Sequence, residues 1–284
     1  MNLKLAKQHV YFMIFRIVTI SVVLFLFFMI WTFISNGVEV IDWTFLTDIP
    51  RKGMTEGGIF PAIVGTVYLT LGAIAFALPV GISSAIYLVE YAREGKFVNA
   101  INSAILNLAG IPSIIYGLFG FGIFVIFLNF GTSILSGSLT LFLVILPIII
   151  ASSREALLSV PQALREGSLA LGATKWQTIR HNVLPHSLSG ILTGSILAVS
   201  RAAGETAPII LTATFFFRPS IPNSLLDGTM ALSSHIYYMA TQHPNIEGVL
   251  PLTYGTVLAL LGMILTLNVG AIIIRTRQRR RKQW

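Results

Sequence analysis

The chain has 284 residues, of which 55% are hydrophobic and 11% charged, with a mean hydropathy of +0.81. A soluble domain carries roughly a quarter charged residues, so this is an integral membrane protein. The net charge of +8 comes from basic residues that flank apolar runs, which speaks for membrane orientation and against nucleic acid; the absence of cysteine excludes disulfides and thiolate chemistry.

In chain order, residues 1–13 form a short amphipathic cytoplasmic start with Lys4, Lys7 and His9, followed by a first span over 14–35. No small-residue cleavage site follows it, which sets it apart from a signal peptide. Residues 36–60, with Glu39, Asp42, Asp48 and Glu56, make an outer loop. Residues 61–89 carry no charge and exceed the ~20 residues a straight span needs, with Pro79 expected to kink them. After an inner loop with Arg93, Glu94 and Lys96, span 3 covers 101–128 and contains Pro112, Gly117, Gly120 and Gly122. Such small residues let helices approach closely in lipid. Residues 129–136 form an outer turn, and span 4 covers 137–152 with Pro147 near its inner end.

A polar stretch over 153–185 interrupts the apolar pattern. Ser159 is placed to cap a helix with Pro161 in its first turn, running to Leu171 and stopped by Gly172. Thr174 then caps a second helix with Gln177 at capping-box spacing, and Pro185 ends it. The prediction is a helix–glycine–helix knob on one membrane face. Span 5 covers 187–217, an outer segment 218–253, span 6 254–274, and residues 276–284 are a basic tail. Within the outer segment, Met230, Leu232, Ile236 and Met239 recur among polar residues over 227–240, as in a helix lying in the interface plane. It is either a dock for an external solute-binding protein or a cover packed on the spans.

The architecture is therefore all-α and polytopic, with six transmembrane helices and both termini on one side. Fifteen Lys and Arg residues fall on the side of the termini and three on the other, which puts the termini and the 153–185 knob in the cytoplasm.

Catalytic and nucleotide motifs are missing. The segment from Gly167 to Gly172 has glycines at P-loop spacing, with Thr174 at the Ser or Thr position, but Ala173 stands where the Lys is required. No H-E-x-x-H or G-x-S-x-G occurs, and His181 and His186 read as solvated interfacial side chains. The informative site is Arg201-Ala-Ala-Gly204-Glu205-Thr206-Ala-Pro208 within span 5. Charges inside a span cost several kcal/mol and mark functional sites by default. At a spacing of four, Arg201 and Glu205 share a helix face. They are either a structural ion pair between spans or a charged face in an aqueous path. In the second case the planar Arg fork suits a phosphate-like oxyanion, Glu205 tempers its hold, and Gly204 permits close backbone approach.

These motifs resemble a known family. Glu166-Gly167-Ser168, Gly172 and Leu184-Pro185 are spaced like the EAA loop of ABC-importer membrane subunits, with Gly167 and Ser168 in place of two alanines and Asn182 where isoleucine is usual. The segments 77–91, 110–120 and 201–208 resemble the permeases of phosphate-specific ABC importers, most closely the PstA-type subunit. The resemblance implies a type I importer permease fold over 61–275, with a coupling helix between spans 4 and 5. It assigns the ATPase-coupling loop to Arg165, Glu166, Gly167, Ser168, Gly172, Thr174, Leu184 and Pro185, and the pathway to Arg201, Gly204, Glu205 and Thr206. It also implies a PstB-like ATPase dimer, a PstC-like second permease, a PstS-like phosphate-binding protein and lipid as partners, in a bacterial inner membrane. ATP and Mg would belong to the ATPase, with no cofactor or metal on this chain. The alternatives are another oxyanion such as molybdate or sulfate, and a secondary anion transporter needing no ATPase.

Overall fold

Helix α1 (Leu3–Gly37) opens the computed structural model, which describes residues 3–93 and 95–280. One helix covers residues 3–13 and the expected span alike, because no helix breaker interrupts them; residues 1 and 2 lie outside the described residues. The apolar stretch of α1 stands off the bundle, and the helix meets its neighbours near its C-terminal end, where the Phe33 and Tyr254 rings lie 6.0 Å apart. The outer loop that follows is ordered. Asp42 accepts from the Phe45 N–H at 2.6 Å and caps α2 (Trp43–Thr47), and β1 (Pro50–Arg51) pairs antiparallel with β2 (Glu56–Gly57).

Helix α3 (Phe60–Ile86) begins with Pro61 in its first turn, carries Pro79 inside, and ends in a π-turn over Tyr87–Tyr91. Glu94 of the inner loop lies outside the described residues. The span expected over 101–128 is sharply bent. Helix α4 (Lys96–Ala109) and α5 (Ser113–Gly120), which continues through a π-helical stretch to Phe127, are bent by 102° at their junction. Pro112 lacks an N–H and disfavours helical backbone at Ile111, so the chain turns there despite its unbroken apolar composition. Tyr116 Oη donates to the Leu108 carbonyl at 2.8 Å across the bend.

Ser133 accepts from the Ser136 N–H at 3.2 Å and starts α6 (Ile134–Leu158), which runs past the expected 137–152 and includes Pro147. The central core lies between α3 and α6, where Leu69, Ala73, Ala77, Leu141, Ile145 and Ile149 are fully or almost fully buried. Ser159 was expected to start the next helix; instead it closes α6, its N–H donating to the Glu155 carbonyl at 3.0 Å. Pro161 then leads into α7 (Gln162–Ala170).

After Gly172 comes α8 (Lys175–Thr178), which passes through a π-turn at Ile179–Val183 into α9 (Leu184–Gly204). Pro185 therefore does not end the helix. The proline sits in the first turn of α9, directly after the π-turn, where a missing N–H is tolerated. Span 5 is interrupted within the Arg201–Pro208 segment: α9 stops at Gly204, and a short α10 (Ala207–Thr212) follows.

The outer segment holds α11 (Leu232–Thr241). Leu232, Ser234, His235 and Met239 are buried between α3 and α12 (Ile246–Arg280), so it is a cover packed on the spans. Ahead of it, Asp227 accepts from the Asn223 and Ser224 N–H groups at 3.0 and 3.1 Å and sits 3.7 Å from Arg218. These bonds, the Asn223 one foremost, hold its carboxyl below the usual carboxylate range. Span 6 is longer than expected, and α12 absorbs the start of the basic tail; residues 281–284 lie outside the described residues. Among the described residues five helices are long and apolar enough to cross a membrane, six when the bent α4–α5 pair is counted as one.

Candidate functional site

The break in span 5 forms the first site. Gly204 ends α9, Glu205 leaves it with extended backbone, and Pro208 opens α10. Arg201 Nε donates to Glu205 Oε1 at 3.1 Å; the Arg201 side chain is 42% exposed and that of Glu205 12%. The pair is thus half open, and the guanidinium retains free donors. Arg201 stands about 26 Å along α9 from Leu184 at 1.5 Å per residue. It shares one exposed stripe with Ser189, Thr193, Leu197 and Gly204, three or four residues apart. Polar groups on the open face of a membrane helix need water or a protein partner, since lipid satisfies neither. Thr206 lies beside them, half-buried, its hydroxyl 3.5 Å from the Gly204 carbonyl.

Two neighbours fix this break. A Cβ at Gly117 of α5 would lie 2.9 Å from Pro208 Cα, so the glycine lets α5 seat on the start of α10. The segments 110–120 and 201–208, read separately along the chain, are therefore in contact. On the other side, Ser233 of α11 donates to the Glu205 carbonyl at 2.7 Å. Below the break, Ser200 hydrogen-bonds Asn268 of α12, and Arg275 Nη1 donates to Thr193 Oγ1 at 3.0 Å.

The second site is the knob made by α7 and α8. Gly172 has φ +85, the left-handed conformation that a helix stop requires, and Thr174 with Gln177 forms the full capping box at 3.3 and 2.8 Å. Ser168 and Thr178 hydroxyls meet at 3.0 Å and clamp the two helices together. Glu166 and Gly167 are exposed, and no atom lies within 4 Å of where a Gly167 side chain would begin. Leu171 is 90% exposed and Trp176 54%, an apolar tip joined on α7 by the exposed Leu164 and Leu169, as a docking element presents. Leu184 and Pro185 lie half-buried at the root of α9, away from the tip.

Arg165 does not reach the exposed Leu171–Trp176 tip. Its guanidinium turns inward to Glu90 at the end of α3, with Nε and Nη2 donating to Oε1 at 3.1 and 3.0 Å. Ser233 escaped the sequence reading, and Glu90 entered it only as part of the 77–91 segment. Glu90 carried one signal, a single acid closing a long uncharged run; Ser233 carried none.

Among the described residues no group of three or more metal-ligating side chains occurs. A family model described as a binding-protein-dependent transport system inner membrane component matches residues 77–284. The chain is 33% identical over 262 residues to the phosphate transport system permease protein PstA 1 of Mycobacterium tuberculosis, covering 90% of this chain and 84% of that one. To PstA of Mycobacterium leprae it is 35% identical, covering 86% and 80%. It is similar in fold to the MetNI methionine ABC transporter, with a TM-score of 0.62 at 18% identity over 76% of this chain and 94% of that one. It is also similar to a bacterial alginate ABC transporter, with a TM-score of 0.66 at 15% identity over 98% and 96%.

Proposed function

The chain belongs to the family of binding-protein-dependent transport system inner membrane components, and from that premise we propose that it is the PstA-type permease subunit of an ATP-driven importer of inorganic phosphate. The single observation that carries the chemistry is the half-open Arg201–Glu205 pair at the helix break. A guanidinium fork offers paired donors to a tetrahedral oxyanion, and an adjacent carboxylate keeps that anion from binding too tightly to leave.

The chain supplies part of the path and no catalysis. ATP hydrolysis, with its Mg, belongs to a separate PstB-like ATPase dimer docked on the exposed Leu171–Trp176 tip. A PstC-like permease completes the path on the open face of α9, and a PstS-like binding protein delivers phosphate from outside. The termini and knob face the cytoplasm, in line with the excess of basic residues on that side. A secondary anion transporter is not favoured, because it has no use for the knob. Molybdate or sulfate would meet the same fork, but the relatives' names favour phosphate.

The test is uptake of labelled phosphate by cells lacking this chain, with and without its restoration, in the presence of excess sulfate or molybdate. Restored uptake that neither anion suppresses is expected. Uptake restored only for another oxyanion would overturn the phosphate assignment.

A further inference from the structure

We infer that Glu90 is a positioning residue that bolts α3 to the coupling knob, making α3 the rod that carries motion from the knob to the Arg201–Glu205 break. The inference rests on the reading of the knob as an ATPase dock.

At the inner end the bolt is fully made. Besides its two bonds to Glu90, Arg165 donates from Nη1 to the Val160 carbonyl at 2.6 Å and from Nη2 to the Leu157 carbonyl at 2.8 Å. The two side chains are 12% and 8% exposed and join positions 75 residues apart. A buried guanidinium with all these partners holds one register: sliding α7 against α3 by one residue would strand both charges away from water. An apolar contact would allow such a slip.

At the outer end α3 is fastened again. Thr66 Oγ1 accepts from the Leu232 N–H at 2.8 Å, and Gly65 leaves no room for a Cβ against the Met230 carbonyl. The next residue, Ser233, is the one that holds the Glu205 carbonyl. Thr66 and Glu90 are about 36 Å apart along the helix at 1.5 Å per residue. Between them α3 is stiffened against α6, with Gly81 seated on Ile149. A packed rod fastened at both ends moves as a body, which is how small displacements at one site reach another.

The experiment uses the complete importer in liposomes, with Leu197→Cys as a reporter in this otherwise cysteine-free chain; Leu197 lies beside Arg201 on the exposed stripe and is 64% exposed. Two quantities are read: phosphate moved per ATP hydrolysed, and the change in labelling rate of the cysteine on adding ATP. In Glu90→Gln, hydrolysis should persist while phosphate per ATP falls about tenfold, within the range of allosteric couplings, and the ATP-dependent labelling change should vanish. Thr66→Val, at the far end from the knob, should show the same uncoupling. Wild-type transport per ATP in either variant would overturn the rod, as would a loss of uptake that merely tracks the amount of assembled complex. Absence of an ATP response in the importer without either substitution would instead overturn the ATPase-dock reading on which the rod rests.

Discussion

The Ser233 hydroxyl donates a 2.7 Å hydrogen bond to the main-chain carbonyl of Glu205, so a residue of the outer cover holds the backbone at the break in span 5. Glu205 leaves the helix there with ψ 137, and its carbonyl has no helical partner. The bond fills an acceptor that would otherwise be stranded at a part-buried site.

Ser233→Ala should therefore loosen the break without dissolving the fold. Losing one such bond costs on the order of 1–3 kcal/mol when the acceptor is left dry. The expected outcome is normal insertion, a melting temperature lower by a few degrees, and phosphate uptake reduced several-fold. Uptake and melting both at wild-type values would show that the hydroxyl is incidental.

Gly172 tests the knob through backbone alone. Its φ of +85 is unfavourable for a residue with a Cβ, yet no atom lies within 4 Å of where that Cβ would sit. Strain, at roughly 1–2 kcal/mol, is thus the whole penalty, and it should be relieved by turning α8 away from α7. Gly172→Val should lower co-purification of the ATPase and abolish uptake while the protein still inserts. Gly172→Asn, which tolerates the left-handed region, should keep most of both. Equal behaviour of the two variants would separate the phenotype from backbone conformation.

His235 gives a pH dependence. The ring is 2% exposed, its Nδ1 finds no hydrogen-bond partner among the described residues, and burial lowers its pKa to about 4 from an ordinary 6.5. The unfolded chain therefore takes up the proton first. Stability owed to the neutral ring is fully present above pH 6.5 and is lost as pH falls toward 4, by at most about 3 kcal/mol. Thermal stability of the purified protein should fall across that window, and His235→Phe should flatten the fall. Parallel profiles for the two proteins would rule the histidine out as the cause.

What could be read from the sequence follows from how local each feature is. Gly172 and the Thr174–Gln177 box were legible because a helix stop and a cap are decided within four residues. Arg201 and Glu205 were legible because a charge inside an apolar run is conspicuous. The 102° bend was not, although Pro112 was in view, because hydropathy measures composition and is blind to direction. Pro185 misled for a related reason: it falls in the first turn after a π-turn, a position where proline is tolerated. The Glu90–Arg165 pair, 75 residues apart in sequence, depends on how spans 2 and 4 pack, which no local pattern carries.

Arg201 and Glu205 decide between a staple and a path. A staple would join two elements and be shielded, yet this pair is formed within one strand of chain four residues apart, and Arg201 is 42% exposed. Glu205 is only 12% exposed, so the pair is best neutralised on both sides at once, and Arg201→Gln with Glu205→Gln together should leave insertion, assembly and melting near wild type. What the pair leaves on offer is the unused donors of the guanidinium, on the face that also carries Thr193 and Gly204. Arg201→Gln keeps hydrogen-bonding capacity and discards the charge, and should abolish phosphate uptake in a fully assembled complex. Arg201→Lys keeps the charge and discards the planar fork, so it should recover only a small part of the uptake, about a tenth or less. Glu205→Gln removes the carboxylate that competes with phosphate for the fork. The anion should then linger, with half-saturation at lower phosphate and a lower maximal rate. A staple predicts none of this: uptake in all three variants would track the amount of assembled complex. Near-wild-type uptake by assembled Arg201→Gln would place the anion path elsewhere.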